Sequence, residues 1–229
     1  MSAHTDLLMN PIRPLLLALA LCSTPLLPAA VPAAPRVADR LAVCVYCGAS
    51  DLADPKYTAA AEQLGTGLAR RQWTLVWGGS KTGLMGAVAR GAKEAGGRVI
   101  GVLPEFIRQW EVAYDRADEM MVVTTMHERK MLLQLRADAF VVLPGGIGTL
   151  DEISDTLDLK NLNQHHKPII LLNQDGYYDA LLAFVDQTVA AKFSKEEARR
   201  QFRVARTVDE VMALLEGVDR PPAAAAGSR

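Results

Sequence analysis

Between two apolar stretches the chain reads Pro144-Gly145-Gly146-Ile147-Gly148-Thr149-Leu150-Asp151-Glu152. The run Ala139-Phe140-Val141-Val142-Leu143 before it has the character of a buried strand, and a helical pattern follows it. Three glycines at a strand-to-helix turn let successive backbone N–H groups converge, and the helix adds its positive end. The chemistry on offer is the cradling of an anion such as a phosphate. Thr149 can cap the helix and also reach that anion. Glu152 has two readings. Thr149-Leu150-Asp151-Glu152 is a T-x-x-E capping box, in which the glutamate satisfies a backbone donor. The other reading sets the carboxylate against the sugar that carries the phosphate, where it stabilises developing positive charge.

A second glycine-rich turn, Trp77-Gly78-Gly79-Ser80-Lys81-Thr82-Gly83-Leu84-Met85-Gly86, also follows a strand and opens a helix. Its lysine lacks the preceding glycine of a P-loop and its spacing lacks G-x-G-x-x-G, so it carries neither nucleotide signature. Glycines that permit a tight turn and close helix–strand packing account for it equally well. Met126-His127-Glu128-Arg129-Lys130 places two adjacent cations at the start of a helix, and His127 there reads as a cap or surface residue. Cys44 and Cys47, three apart in one strand, point to opposite faces and read as core thiols rather than a redox pair.

The elements that must position these residues alternate. Strands are expected at 41–46, 74–77, 98–103, 120–123, 139–143 and 169–172, and helices from Asp54-Pro55 onward, at 84–95, 127–136, 149–162, 177–192 and 208–215. Asp54-Pro55 is an N-cap followed by proline at the first helical position, and Thr207-Val208-Asp209-Glu210 is a capping box. Continuous apolar strands mean a sheet covered on both faces. The expected fold is α/β, a three-layer, doubly wound, mostly parallel sheet of Rossmann-like kind, with ligands at the carboxyl ends of its strands.

The 229 residues carry 25 Lys+Arg against 26 Asp+Glu, a net charge of −1 without a basic block, which argues against nucleic acid or a membrane surface as partner. Three cysteines cannot build a disulfide framework or a four-ligand zinc site. The domain is expected to span 39–217. Six of the 12 prolines fall before residue 36, around the apolar run Leu15–Cys22. Residues 1–38 therefore read as a signal-like leader or a disordered extension, and 218–229 as a disordered tail. A cytoplasmic enzyme with a dispensable extension is favoured over an exported one.

Pro144–Glu152 resembles the PGGxGTxxE signature of the LONELY GUY family, the cytokinin riboside 5′-monophosphate phosphoribohydrolases often labelled lysine decarboxylases. Tyr46-Cys47-Gly48-Ala49-Ser50, Gly83-Leu84-Met85-Gly86, Val99–Pro104, Met126–Lys130, Asp138-Ala139-Phe140, Lys167-Pro168 and Gly176-Tyr177-Tyr178 follow in the family's order, so the resemblance covers about 41–216. It implies a homodimer that hydrolyses the N-glycosidic bond of a purine nucleoside 5′-monophosphate, of cytokinin type or AMP, to free base and ribose 5-phosphate, with no metal or organic cofactor. It assigns Arg129 and Glu152 as the catalytic pair. It assigns Lys130, Gly145, Gly146, Ile147, Gly148 and Thr149 to nucleotide binding, and Glu111 to an acidic substrate contact. Two departures bear on specificity. Asp158 stands where relatives have a threonine, and Ser80-Lys81-Thr82 replaces a family glycine and adds a candidate phosphate donor. The rival reading is a nucleotide- or molybdenum-cofactor-binding carrier without turnover.

Overall fold

The computed structural model describes residues 40–110 and 112–218. The expected leader at 1–38, the tail beyond Val218 and the expected contact Glu111 lie outside the described residues. Seven strands and seven α-helices follow in order: β1 (Ala42–Tyr46), α1 (Pro55–Arg70), β2 (Thr74–Trp77), α2 (Gly83–Glu94), β3 (Val99–Pro104), α3 (Glu105–Arg108), β4 (Glu119–Val123), α4 (Met126–Arg136), β5 (Ala139–Val142), α5 (Ile147–Asn161), β6 (Ile169–Leu172), α6 (Asp179–Ala190), β7 (Arg203–Ala205) and α7 (Val208–Glu216). The sheet runs β4-β3-β2-β1-β5-β6-β7 and every pairing is parallel. Expected and observed strands agree closely for β1 to β6. Strand β7 and helix α3 were not expected. Both are short, and β7 exposes Arg203 and Val204 at the sheet edge, so neither shows a buried apolar run.

The two-residue period of the strands sorts the core into two layers. Val43, Val45, Leu75 and Trp77 pack under α1, α2 and α7 through Leu64, Leu68, Val88 and Val211. Cys44, Tyr46, Val76 and Phe140 face the opposite way, against Leu132 and Leu133 of α4 and Ile153 of α5. Cys44 and Cys47 fall in different layers, as their spacing requires. Burial raises both thiols well above the usual range, so they remain protonated.

Strand order reverses between β1 and β5. From β1 the chain winds outward through β2, β3 and β4, returns to set β5 beside β1, and winds the other way through β6 and β7. Such a reversal opens a crevice at the carboxyl ends of the two central strands. Among the described residues no helix is long and apolar enough to cross a membrane.

Candidate active site

The crevice is real. A cavity of about 490 Å³ is lined by Cys47, Gly48, Ala49 and Ser50 after β1 and by Pro144, Gly145, Gly146, Gly148 and Thr149 after β5. Tyr57 of α1, Leu84 and Met85 of α2, Arg129 of α4, Glu152 of α5 and Tyr177 close it. The two central loops touch directly, with Gly48 N–H donating to Pro144 O at 3.1 Å.

The glycine loop delivers its helix earlier than its sequence suggests. Gly146 is the N-cap and Leu150 N–H donates to its carbonyl at 3.0 Å, so α5 starts at Ile147 and no side chain caps it. The expectation of a Thr149–Glu152 capping box is thus corrected. Thr149 lies inside the first turn, packed so tightly on Gly145 that a Cβ there would stand 2.1 Å from its Oγ1. Glu152 is one turn too far along to reach the cap. The backbone N–H groups of Ile147, Gly148 and Thr149 head the helix with no intrahelical acceptor. Gly146 and Gly148 have nothing within 4 Å of where a Cβ would sit, so no protein atom demands glycine there. Ile147 contributes its backbone to this turn, while its side chain is 81% exposed and stands outside the cavity lining.

Freed from capping, Glu152 is a buried carboxylate facing a cation. It is 3% exposed, and its Oε1 lies 3.5 Å from Nη2 of Arg129, an ion pair longer than a hydrogen bond. Its Oε2 is buried without a hydrogen-bond partner. Burial outweighs the pull of Arg129 and pushes its pKa up to about 7, with Asp151 adding to the rise and Lys130 opposing it. The turn that carries it is fixed from below. Thr156 Oγ1 donates to the Glu152 carbonyl at 2.8 Å and lies 3.0 Å from the Tyr46 hydroxyl, which donates back to it.

Arg129 is seated by main-chain carbonyls at the ends of two strands. Its Nε donates to Val102 O at 3.3 Å and its Nη2 to Gly78 O at 3.4 Å. A Cβ on Gly78 would stand 1.8 Å from Nη2, so the glycine-rich turn after β2 exists in part to admit this guanidinium. Helix α4 begins at Met126 behind a Thr125–Glu128 capping box, which leaves His127 exposed.

The remaining assignments divide. Lys130 turns to the outside of α5, donating to Asp151 at 2.9 Å with Asp155 at 3.6 Å, and does not line the cavity. Lys81 and Asp158 are likewise outside the lining. Ser80 is buried, its hydroxyl 2.9 Å from that of Thr82, so the candidate phosphate donor in that turn is not brought to the crevice. Sequence reasoning missed Gly78 and Val102 as the seat of Arg129, and Tyr57, Met85 and Tyr177 as cavity walls. Met85, Val102 and Tyr177 fall in blocks that the family resemblance includes, whereas the signal for Gly78 and Tyr57 was position alone.

A family described as "Possible lysine decarboxylase" matches residues 85–215. A protein of Oryza sativa subsp. japonica named "Probable cytokinin riboside 5'-monophosphate phosphoribohydrolase" is 43% identical over 180 residues, 79% of this chain and 73% of that one. An Arabidopsis thaliana protein named as a cytokinin riboside 5'-monophosphate phosphoribohydrolase is 41% identical over 174 residues, 76% of this chain and 80% of its own. Among solved structures, a molybdenum cofactor binding protein from Rippkaea orientalis superposes with a TM-score of 0.61 at 28% identity, over 78% of this chain and 97% of that one.

Proposed function

Since the chain belongs to the LONELY GUY family of cytokinin riboside 5′-monophosphate phosphoribohydrolases, we propose that its crevice hydrolyses the N-glycosidic bond of a purine nucleoside 5′-monophosphate. Water enters, and free base and ribose 5-phosphate leave. The observation that carries the reading is Glu152, a buried carboxylate with an unpartnered oxygen in a cavity headed by a free helix N-terminus.

The 5′-phosphate binds the N–H groups of the Gly146–Thr149 turn, and this remote binding energy positions the sugar. As the bond to the base breaks, the ribose gains oxocarbenium character. The Glu152 carboxylate stabilises that charge and takes the proton of the attacking water. Its pKa of about 7 suits a base that must accept and release a proton near neutrality. Arg129 anchors the nucleotide or assists departure of the base. Lys130, held by Asp151 and Asp155, acts by fixing the start of α5. The exposed Met131, Leu135 and Leu150 on the outer faces of α4 and α5 suit a homodimer, which sedimentation velocity would detect. A carrier requires the cradle alone and leaves the buried Arg129–Glu152 pair without a task.

The decisive test is chromatography of AMP and isopentenyladenosine monophosphate after incubation with the protein. Base and ribose 5-phosphate are expected as products, and the ratio of rates sets the base preference. Glu152→Gln should lower kcat by about a hundred- to a thousandfold without lowering the melting temperature. Binding of nucleotide with no product from wild type would transfer the assignment to a carrier. In wild type, kcat/KM should fall as pH drops below about 7, because protonation of the free enzyme removes the required carboxylate.

A further inference from the structure

Three successive carbonyls of the cradle loop are each taken up by a donor from elsewhere in the chain. Tyr178 Oη donates to Leu143 O at 2.7 Å, Gly48 N–H to Pro144 O at 3.1 Å, and Tyr177 Oη to Gly145 O at 2.8 Å. The first two donors are tied to the strand ends. The third comes from the cavity rim, where Tyr177 is 42% exposed and still aims its hydroxyl at a glycine carbonyl.

The peptide unit so held joins Gly145 to Gly146. With no Cβ on either side, such a unit turns over at low cost. In a trans peptide the C=O and N–H point in opposite directions, so turning over exchanges a donor for an acceptor beside the first turn of α5. An acceptor there opposes an anion that the helix terminus would otherwise attract. Tyr177 is itself restrained. Its ring stands edge-on to Tyr57 at 5.4 Å and to Tyr178 at 4.9 Å between centroids. The turn that carries it is tied to α1 by Lys56 and Asp175 at 2.9 Å.

We infer that Tyr177 is a positioning residue for the anion site, its hydroxyl holding the Gly145–Gly146 peptide with the carbonyl turned away from the bound phosphate. The inference rests on the phosphate-binding role proposed above for this loop. It does not rest on turnover.

Tyr177→Phe removes the hydroxyl and keeps both ring contacts. Titration calorimetry with ribose 5-phosphate should show affinity falling about three- to tenfold, the worth of one hydrogen bond. KM for AMP should rise by a similar factor while kcat changes far less, with the melting temperature unmoved. Tyr178→Phe is the structural control. It frees the Leu143 carbonyl, whose peptide partner is Pro144 and carries no N–H, so it should lower the melting temperature without a matching loss of affinity. Wild-type affinity in Tyr177→Phe overturns the inference, as does a loss that tracks stability in both variants. If wild type binds ribose 5-phosphate yet releases no base from AMP, the hydrolase reading fails and the Tyr177 comparison still decides this one. If wild type binds no ribose 5-phosphate, the anion site and this inference fall together.

Discussion

The two glycine-rich turns stand at the carboxyl ends of β2 and β5, one on each side of β1, and differ in what they lack. The turn after β2 is complete in itself. Gly78 makes room for Arg129 and offers it a carbonyl, Ser80 and Thr82 satisfy one another, and Asp51 accepts from Gly83 N–H at 2.7 Å. The turn after β5 is unfinished. Space lies open beyond Gly146 and Gly148, and Glu152 Oε2 has no partner. A glycine pressed by protein atoms serves the fold, and a glycine with nothing near it leaves room for something the chain does not supply.

That contrast can be broken at several points. The unfinished turn should carry an energetic cost through Glu152, whose pKa rises from 4.5 to about 7 on folding. Across that window the folded protein keeps a proton that the unfolded chain has released, so this group's contribution to stability is full below about pH 4.5 and lost as pH rises through 7. Glu152→Gln removes the dependence. Its stability relative to wild type should be unchanged at pH 4.5 and higher by about 3 kcal/mol above pH 7, read from denaturant midpoints at the two pH values. Equal midpoints at both would show that the carboxylate is not strained.

A smaller effect is expected in the finished turn. Gly78→Ala drives a methyl into the seat of Arg129 and should lower kcat about a hundredfold, with a stability loss of about 1–3 kcal/mol from overpacking. Smallest, and of opposite sign in its two readouts, is Gly148→Ala. Alanine meets no protein atom and suits a helical position, so the melting temperature should rise by the equivalent of about 0.4–1 kcal/mol while KM for AMP rises about tenfold. A fall in melting temperature would mean that the fold, and not a ligand, demands that glycine.

How far the sequence disclosed this arrangement depends on which atoms did the work. Strands β1, β2, β5 and β6 were legible because they are continuous apolar runs buried on both faces, and the cradle was legible because glycine types advertise it. The start of α5 was misplaced. Thr149 looks like a cap, whereas the glycine backbone turns the chain three residues sooner, at Gly146, and needs no side-chain cap. The seat of Arg129 was invisible because its acceptors are the main-chain carbonyls of Gly78 and Val102, which no side-chain pattern announces. Lys130 stood beside Arg129 in the sequence, and one residue along a helix turns a side chain by about 100°, which turned it away from the cavity and onto Asp151 and Asp155 of α5.

The register that sets Val43 opposite Ala139 and Tyr46 opposite Val142 has a temporal meaning as well as a spatial one. The crevice joins segments almost a hundred positions apart, so a nascent chain holding only β1 to β4 possesses Gly78 but neither the cradle nor Glu152. Closure of that long loop is entropically late. The capacity to bind a nucleotide therefore appears all at once, when β5 docks, and recovery of ribose 5-phosphate binding during refolding times the joining of the two halves of the sheet.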